Sequence, residues 1–146
     1  MKIVKIRNVN TPIRSHKTDA GIDFFIPNDF EKTNILPQQS ILIKSGIHVR
    51  VPKGYSLIAL NKSGVCSKKG LIVGSQVIDE GYEGEIHIHL INTTKNPVLI
   101  FPGEKIIQFI LIPMFYDDIV CVKSLNELYD EKSERGITSF GSTNEK

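Results

Sequence analysis

Asp79 stands directly after the apolar pair Val77-Ile78 and before the turn Glu80-Gly81. That position belongs at the rim of a sheet, where a carboxylate can orient and deprotonate a water. A turn-forming aspartate is the alternative. Tyr82 lies three residues on and either forms one wall of a sugar pocket or packs on a core. Lys62-Ser63-Gly64 follow a β-type run and precede a short helical turn. Backbone N–H groups and the Ser63 hydroxyl would donate there to a phosphate, with charge from Lys62, or the triplet is an ordinary turn. It is not a P-loop, because the preceding glycine spacing is absent. Asp19 and Asp23 flank Gly21, and Asp23 could hold the hydration shell of a Mg²⁺ ion or be a solvated loop charge. Gln108 is an amide inside an apolar strand, which either faces solvent or hydrogen-bonds a ligand.

The C-terminal residues 135–143 read Arg-Gly-Ile-Thr-Ser-Phe-Gly-Ser-Thr. They hold too few apolar side chains to bury a core, so a mobile tail is expected. Arg135 would meet phosphate oxygens with its donor fork, and Phe140 would lie against a base. A frayed terminus without a role is the alternative.

Other groupings lead away from chemistry. His87 and His89 share one side of a strand with Glu85, but no third ligand has fitting spacing, so a solvated face is expected. Ser63 and Cys66 lack a His/Asp partner pattern for nucleophilic catalysis. Lys68-Lys69 is too short, and too poor in aromatic neighbours, for a nucleic-acid site. Cys66 and Cys121 are read as reduced thiols, with no metal-ligand spacing, in a cytoplasmic protein. The first ten residues contain no long apolar run, so no signal peptide is expected. The longest apolar stretch, 106–115, is interrupted by Gln108 and Pro113 and is too short to span a bilayer. A net charge of +2 implies no extended nucleic-acid or membrane surface, while a local anion pocket needs no global excess.

The elements that must position these groups are β throughout. Glu85 to Leu90 alternate strictly, which puts Ile86, Ile88 and Leu90 on one face. Further β-type runs cover 2–6, 40–44, 47–51, 56–60, 97–101, 105–112 and 119–122. Turn signals separate them, including Pro37, Ser45-Gly46, Pro52-Lys53-Gly54 and Pro102-Gly103. Many short strands at this spacing predict an all-β sandwich, jelly roll or barrel. A capping box at Ser124–Glu127 and a turn over 63–69 are the only helix signals. The composition shifts near Asp130, dividing a β domain at 1–129 from a flexible C-terminal lid segment at 130–146.

Taken in order, the segments resemble the five motifs of the trimeric deoxyuridine triphosphatase (dUTPase) family over roughly residues 15–143. The matching residues are Ala20-Gly21-Ile22-Asp23; Pro52, Gly54 and Tyr55 running on to Lys62-Ser63-Gly64; Val77-Ile78-Asp79 with Tyr82 and Gly84; Pro102-Gly103-Glu104-Lys105-Ile106 with Gln108; and Arg135-Gly136 with Phe140-Gly141-Ser142-Thr143. The resemblance implies a jelly-roll subunit and a homotrimer with shared active sites. It implies hydrolysis of dUTP to dUMP and pyrophosphate with Mg²⁺, supplying dUMP for dTMP synthesis and keeping uracil out of DNA. Asp79 would be the general base toward the α-phosphorus and would hold the 3′-hydroxyl, and Tyr82 would exclude a 2′-hydroxyl. The hairpin from Val73 through Val77 and Ile78 would read uracil through its backbone. Lys62, Ser63, Gly64 and Gln108 would meet phosphates, and Asp23 would touch the metal's waters. Arg135, Phe140, Gly141, Ser142 and Thr143 would close over the site from another subunit.

The chain departs from the family pattern at several positions. Lys62 replaces an arginine, Gly81 an aspartate and Val73 an asparagine. Gln76 falls where glycine is frequent, and Thr138-Ser139 replace a glycine pair. A dCTP deaminase shares the fold and favours Gly81, but it would need a glutamate where this chain has His89. A nucleotide-binding regulatory protein on the same scaffold is the other alternative.

Overall fold

A computed structural model describes residues 1–129 together with 131 and 136. The strands are β1 (Lys2–Lys5), β2 (Ile22–Phe25), β3 (Thr33–Ile35), β4 (Ser40–Arg50), β5 (Tyr55–Asn61), β6 (Leu71–Val73), β7 (Val77–Ile78), β8 (Glu85–Asn92), β9 (Val98–Ile100) and β10 (Lys105–Pro113). Two short helices, α1 (Ser63–Lys69) and α2 (Leu125–Leu128), complete the described elements. One four-stranded sheet runs β1-β4-β8-β6, a second runs β2-β10-β5-β7, and β3 pairs with β9 alone. All pairings between strands are antiparallel. This is the all-β class that the sequence pattern predicts, and it agrees with the jelly-roll subunit that the resemblance implies.

Two compact units divide the chain, Met1–Phe115 and Tyr116–Lys146. The first holds the core. Strand β8 buries Ile86, Ile88 and Leu90 on one face, as its alternation requires. Strand β10 contributes Ile106, Ile107 and Phe109, and β2 contributes four consecutive buried residues. Phe24 and Phe109 meet with ring centroids 4.5 Å apart and planes tilted by 53°, a geometry that aromatic pairs favour. Each such large apolar side chain, fully buried, contributes roughly 1.5–3 kcal/mol.

Three sequence expectations need correction. The Ser45-Gly46 turn does not split a strand, because β4 runs on through both residues. Instead its register against β8 shifts between Lys44 and His48, a bulge that the Glu85 carboxylate fills by accepting the Gly46 N–H at 2.7 Å. Residues 119–122 form no strand, and Ile119 and Val120 are exposed with no strand among the described residues to pair with. Strand β2 is absent from the expected β-type runs, because its Ile-Asp-Phe-Phe run lacks the alternation that marks a one-sided strand.

In the second unit, the Ser124 hydroxyl accepts the Glu127 N–H and opens α2. The Glu127 carboxylate accepts in return from the Ser124 hydroxyl and from the Lys123 N–H, one residue before the cap, so the predicted capping box is present with its return bond shifted by one residue.

Candidate active site

Two groups of the predicted residues gather around separate cavities. Val77, Ile78, Asp79 and Tyr82 line the first, of about 330 Å³, with Leu42, Ser75, Gln76, His87 and Phe109. Its volume is in the range of small-ligand pockets. The short strand β7 forms one wall because it pairs with β5 through Ile78–Leu57 and Val77–Ile58. Being the last strand of its sheet, β7 delivers Asp79 to the sheet's rim, with its side chain exposed. Among the described residues nothing hydrogen-bonds or ion-pairs with the Asp79 carboxylate. The turn after it is held by the Tyr82 N–H on the Asp79 carbonyl at 3.1 Å and by the Tyr82 phenol donating to the Glu85 carbonyl at 2.9 Å. Tyr82 therefore presents a fixed ring at the cavity edge.

The second cavity, of about 380 Å³, is lined by Ser15, Asp19, Gly21, Asp23, Lys62 and Gln108, among others. Asp23 is not a solvated loop charge. It sits on β2 with its side chain only 6% exposed. The Lys62 ammonium donates to its Oδ1 at 2.7 Å, and Lys105 lies 3.4 Å from Oδ2, which also accepts the Ser15 hydroxyl at 3.2 Å. Burial pushes the Asp23 carboxyl up, but hydrogen bonds and charge from Lys62, with Lys105 and Ser15, outweigh it and hold the group below its usual range. The Gln108 amide donates to the Asn61 carbonyl at 2.9 Å. Its side-chain oxygen occupies the space over Gly21, where a Cβ would overlap it, so only glycine admits the amide there.

A folded-state pKa below the unfolded one gives stability that is fully present above the ordinary aspartate value of about 3.9 and is lost as pH falls through the lower folded value. We expect Asp23→Asn to lower unfolding stability by about 1.5–3 kcal/mol at pH 7, the worth of a hydrogen bond to a charged group. Urea unfolding of both proteins at pH 7 and near pH 2 checks this. The gap should close in acid, and an equal gap at both values would remove the carboxylate from the account.

Other predicted residues are placed differently from the sequence expectation or lie outside the described residues. Ser63 and Gly64 open α1 in exposed positions, and a Cβ on Gly64 would meet nothing within 4 Å. Lys62 does not extend freely toward a ligand, since its ammonium is on Asp23. Val73 is buried in the core, and its N–H donates to the Asn61 Oδ1 at 2.8 Å. It thus directs the chain into residues 74–78 and does not offer that N–H to a ligand. Arg135, Phe140, Gly141, Ser142 and Thr143 lie outside the described residues. His87 and His89 are half-buried, not solvated: His89 meets Ser75 of the segment 74–78, and His87 lines the first cavity.

Sequence reasoning did not single out Lys105, Ser15, Leu42 or Phe109 for the site. Lys105 stood within a quoted motif, so a signal existed. The other three become neighbours only through strand pairing. Phe109 and Gln108 are adjacent on β10 and project from opposite faces of it. The two cavities consequently lie on opposite faces of the sheet β2-β10-β5-β7 in a single chain.

Among the described residues no three ligating side chains gather to hold a metal ion. A Mg²⁺ that keeps its waters and is bound mainly by a ligand's phosphates fits these residues, with the Asp23 carboxylate as its outer partner.

The dUTPase family model matches residues 7–144, almost the whole chain. The chain belongs to the dUTPase family. Relatives in the family include the deoxyuridine 5′-triphosphate nucleotidohydrolase of Clostridioides difficile, 36% identical over 146 residues and covering 96% of each protein. That of Mycobacterium sp. strain JLS is 35% identical over 140 residues, covering 94% of this chain and 89% of the relative. Among solved dUTPases, that of Staphylococcus bacteriophage 80alpha with dUpNHpp superimposes with a TM-score of 0.84 at 28% identity, covering 97% of this chain and 96% of the other. An aspartate-to-asparagine variant of the dUTPase from Staphylococcus aureus phage phi11, solved for the coordination of its structural Mg(II) ion, has a TM-score of 0.76 at 26% identity, covering 86% of this chain and 97% of the other. No helix among the described residues of this dUTPase-family chain is long and apolar enough to cross a membrane.

Proposed function

We propose that the chain hydrolyses dUTP to dUMP and pyrophosphate, with Asp79 as the general base. Membership of the family supports the substrate and the reaction class. The observation that carries the assignment of the base is the exposed Asp79 carboxylate, unpaired among the described residues, at the mouth of a cavity walled by Val77, Ile78 and Tyr82. A carboxylate with no described competing donor is available to accept a water proton as that water attacks the α-phosphorus. The cavity takes the base and sugar, with Tyr82 bearing on the sugar and residues 74–78 on the base. Supply of dUMP and removal of dUTP before DNA synthesis follow from that reaction.

The phosphates reach the second set of residues. Ser63, Gly64 and Gln108 offer hydroxyl, backbone and amide donors, and Arg135 supplies a guanidinium. Mg²⁺, when bound with Asp23 as outer partner, neutralises triphosphate charge. Lys62 and Lys105 fix the Asp23 carboxylate in position for that role. Because the two cavities open on opposite faces of one sheet, a complete site needs the first cavity of one protomer beside the second cavity of another. This favours the family's homotrimer with shared sites, closed by the C-terminal segment 130–146 carrying Phe140, Gly141, Ser142 and Thr143. A cytoplasmic location fits the free thiols at Cys66 and Cys121.

Deamination of dCTP is disfavoured by a specific contact. His89, where a deaminase would need a glutamate, is engaged through Nδ1 with Ser75. Parallel assays decide between the activities. Pyrophosphate release is expected from dUTP, with much slower release from dCTP and dTTP and no ammonia from dCTP. Ammonia without pyrophosphate would replace this reading with the deaminase, and no turnover of any nucleotide would make the chain a binding protein.

A further inference from the structure

The segment 74–78 is the wall of the first cavity that has no strand partner at its start. Beyond β6 the chain leaves β8, and its last contacts are with His89. The Gly74 N–H donates to the His89 carbonyl at 3.0 Å. The imidazole packs so closely on Gly74 that a Cβ there would overlap Nδ1 and lie 2.8 Å from Cγ. That overlap excludes any side chain at position 74 while the ring stays in place. The same Nδ1 is 3.1 Å from the Ser75 hydroxyl oxygen. Ser75 lines the cavity beside Gln76 and Val77, and the Gln76 carbonyl accepts the Ala59 N–H at 2.7 Å. The segment is thus pinned to β5 at its far end and to one histidine at its near end.

We propose that His89 is a positioning residue for base selection, and that it acts by fixing the Ser75 hydroxyl as an acceptor at the cavity wall. This rests on the reading that the first cavity takes the base. A serine hydroxyl has one proton to donate and two lone pairs to accept with. In the tautomer of His89 protonated at Nε2, Nδ1 accepts the Ser75 proton, and Ser75 then offers the cavity only lone pairs. Uracil presents a donor at N3–H, which such an oxygen satisfies. Cytosine presents a bare N3, and two acceptors then face each other without a proton between them. Once the base covers this exposed hydroxyl, such a mismatch leaves two acceptors desolvated without a proton, which discriminates more strongly than shape alone. Residues that read the base through the backbone would be reinforced by one side chain whose direction is set from behind.

The test measures kcat/KM for dUTP and dCTP in the full-length protein and in His89→Ala, Ser75→Ala, the double variant and His89→Asn. The uracil-to-cytosine ratio of kcat/KM is expected to fall about tenfold or more in each Ala variant. The double variant should be no worse than either single one, because both remove the same oriented hydroxyl. His89→Asn keeps an acceptor near the Nδ1 position and is expected to restore most of the ratio, which a merely structural histidine would not do. Ser75 is exposed, so Ser75→Ala reports even where His89→Ala fails to fold. An unchanged ratio in Ser75→Ala overturns the proposal. Val77→Trp, which narrows the cavity, separates the two levels. A raised KM there with unchanged ratios in the Ala variants rejects the role of His89 alone, whereas an unchanged KM there rejects the cavity as the base site.

Discussion

Asp79→Asn is expected to lower the rate of dUTP hydrolysis by about 10²–10⁴-fold, the usual worth of a positioned general base. Asparagine keeps the shape of the side chain and can still accept a hydrogen bond from a sugar hydroxyl through its amide oxygen, but it cannot take a proton from water. Binding of dUTP, measured by titration calorimetry, should therefore persist while pyrophosphate release collapses. The folded state should be unaffected, because the carboxylate is exposed and no described residue pairs with it. An unchanged thermal midpoint checks that point. An Asn variant that turns over dUTP within tenfold of the parent would move the proton acceptor to another group. One that neither binds nor turns over would make Asp79 a ligand contact and leave the base unassigned.

What the sequence displayed, and what it hid, divides along the range of the interactions. Glu85–Asn92 was legible because its alternation is local, and the two-sided burial of Ile22–Phe25 was not, because four buried residues in a row carry no period. Ser45-Gly46 looked like a turn by composition, but the Glu85 carboxylate, distant in sequence, converts it into a bulge inside β4. Ile119 and Val120 have strand propensity without a described strand to pair with, and propensity alone forms no sheet. At the site, Asp79 and Tyr82 could be nominated from their turn. That Lys62 belongs to Asp23 could not, since 39 residues separate them. The same holds for His89 and Ser75. Their pairing depends on β6 lying against β8, which local sequence does not state. The placement of the two cavities on opposite faces is a property of the whole sheet, visible only once β10 is seen to lie between β2 and β5.

Removal of residues 131–146 is expected to reduce kcat/KM for dUTP by about 10²–10⁴-fold and to leave a folded trimer. The reasoning starts from what the first unit holds and lacks. Met1–Phe115 carries the described strands and the buried core, so the fold does not depend on the C-terminal segment. Around its two cavities the cations Lys62 and Lys105 are both committed to Asp23. A triphosphate brings several negative charges, and an arginine from elsewhere answers that need. Arg135 is the cation that the proposed reading puts there. Hydrogen bonds to charged groups contribute about 1.5–3 kcal/mol each, and a guanidinium on phosphate makes two in parallel. Stacking of Phe140 on the base would add about 1–3 kcal/mol. Contributions of groups acting together are not additive, and the expected loss, about 3–5 kcal/mol, lies in the lower part of their combined range, with Arg135→Ala alone giving part of it. If the segment also shields the reacting water from bulk solvent, kcat should fall along with the rise in KM, whereas simple loss of ground-state binding would raise KM alone. Sedimentation of the truncated protein separates catalysis from assembly. A trimer with unimpaired kcat/KM would reject the closing role of the C-terminus, and a fully active monomer would reject the shared site itself.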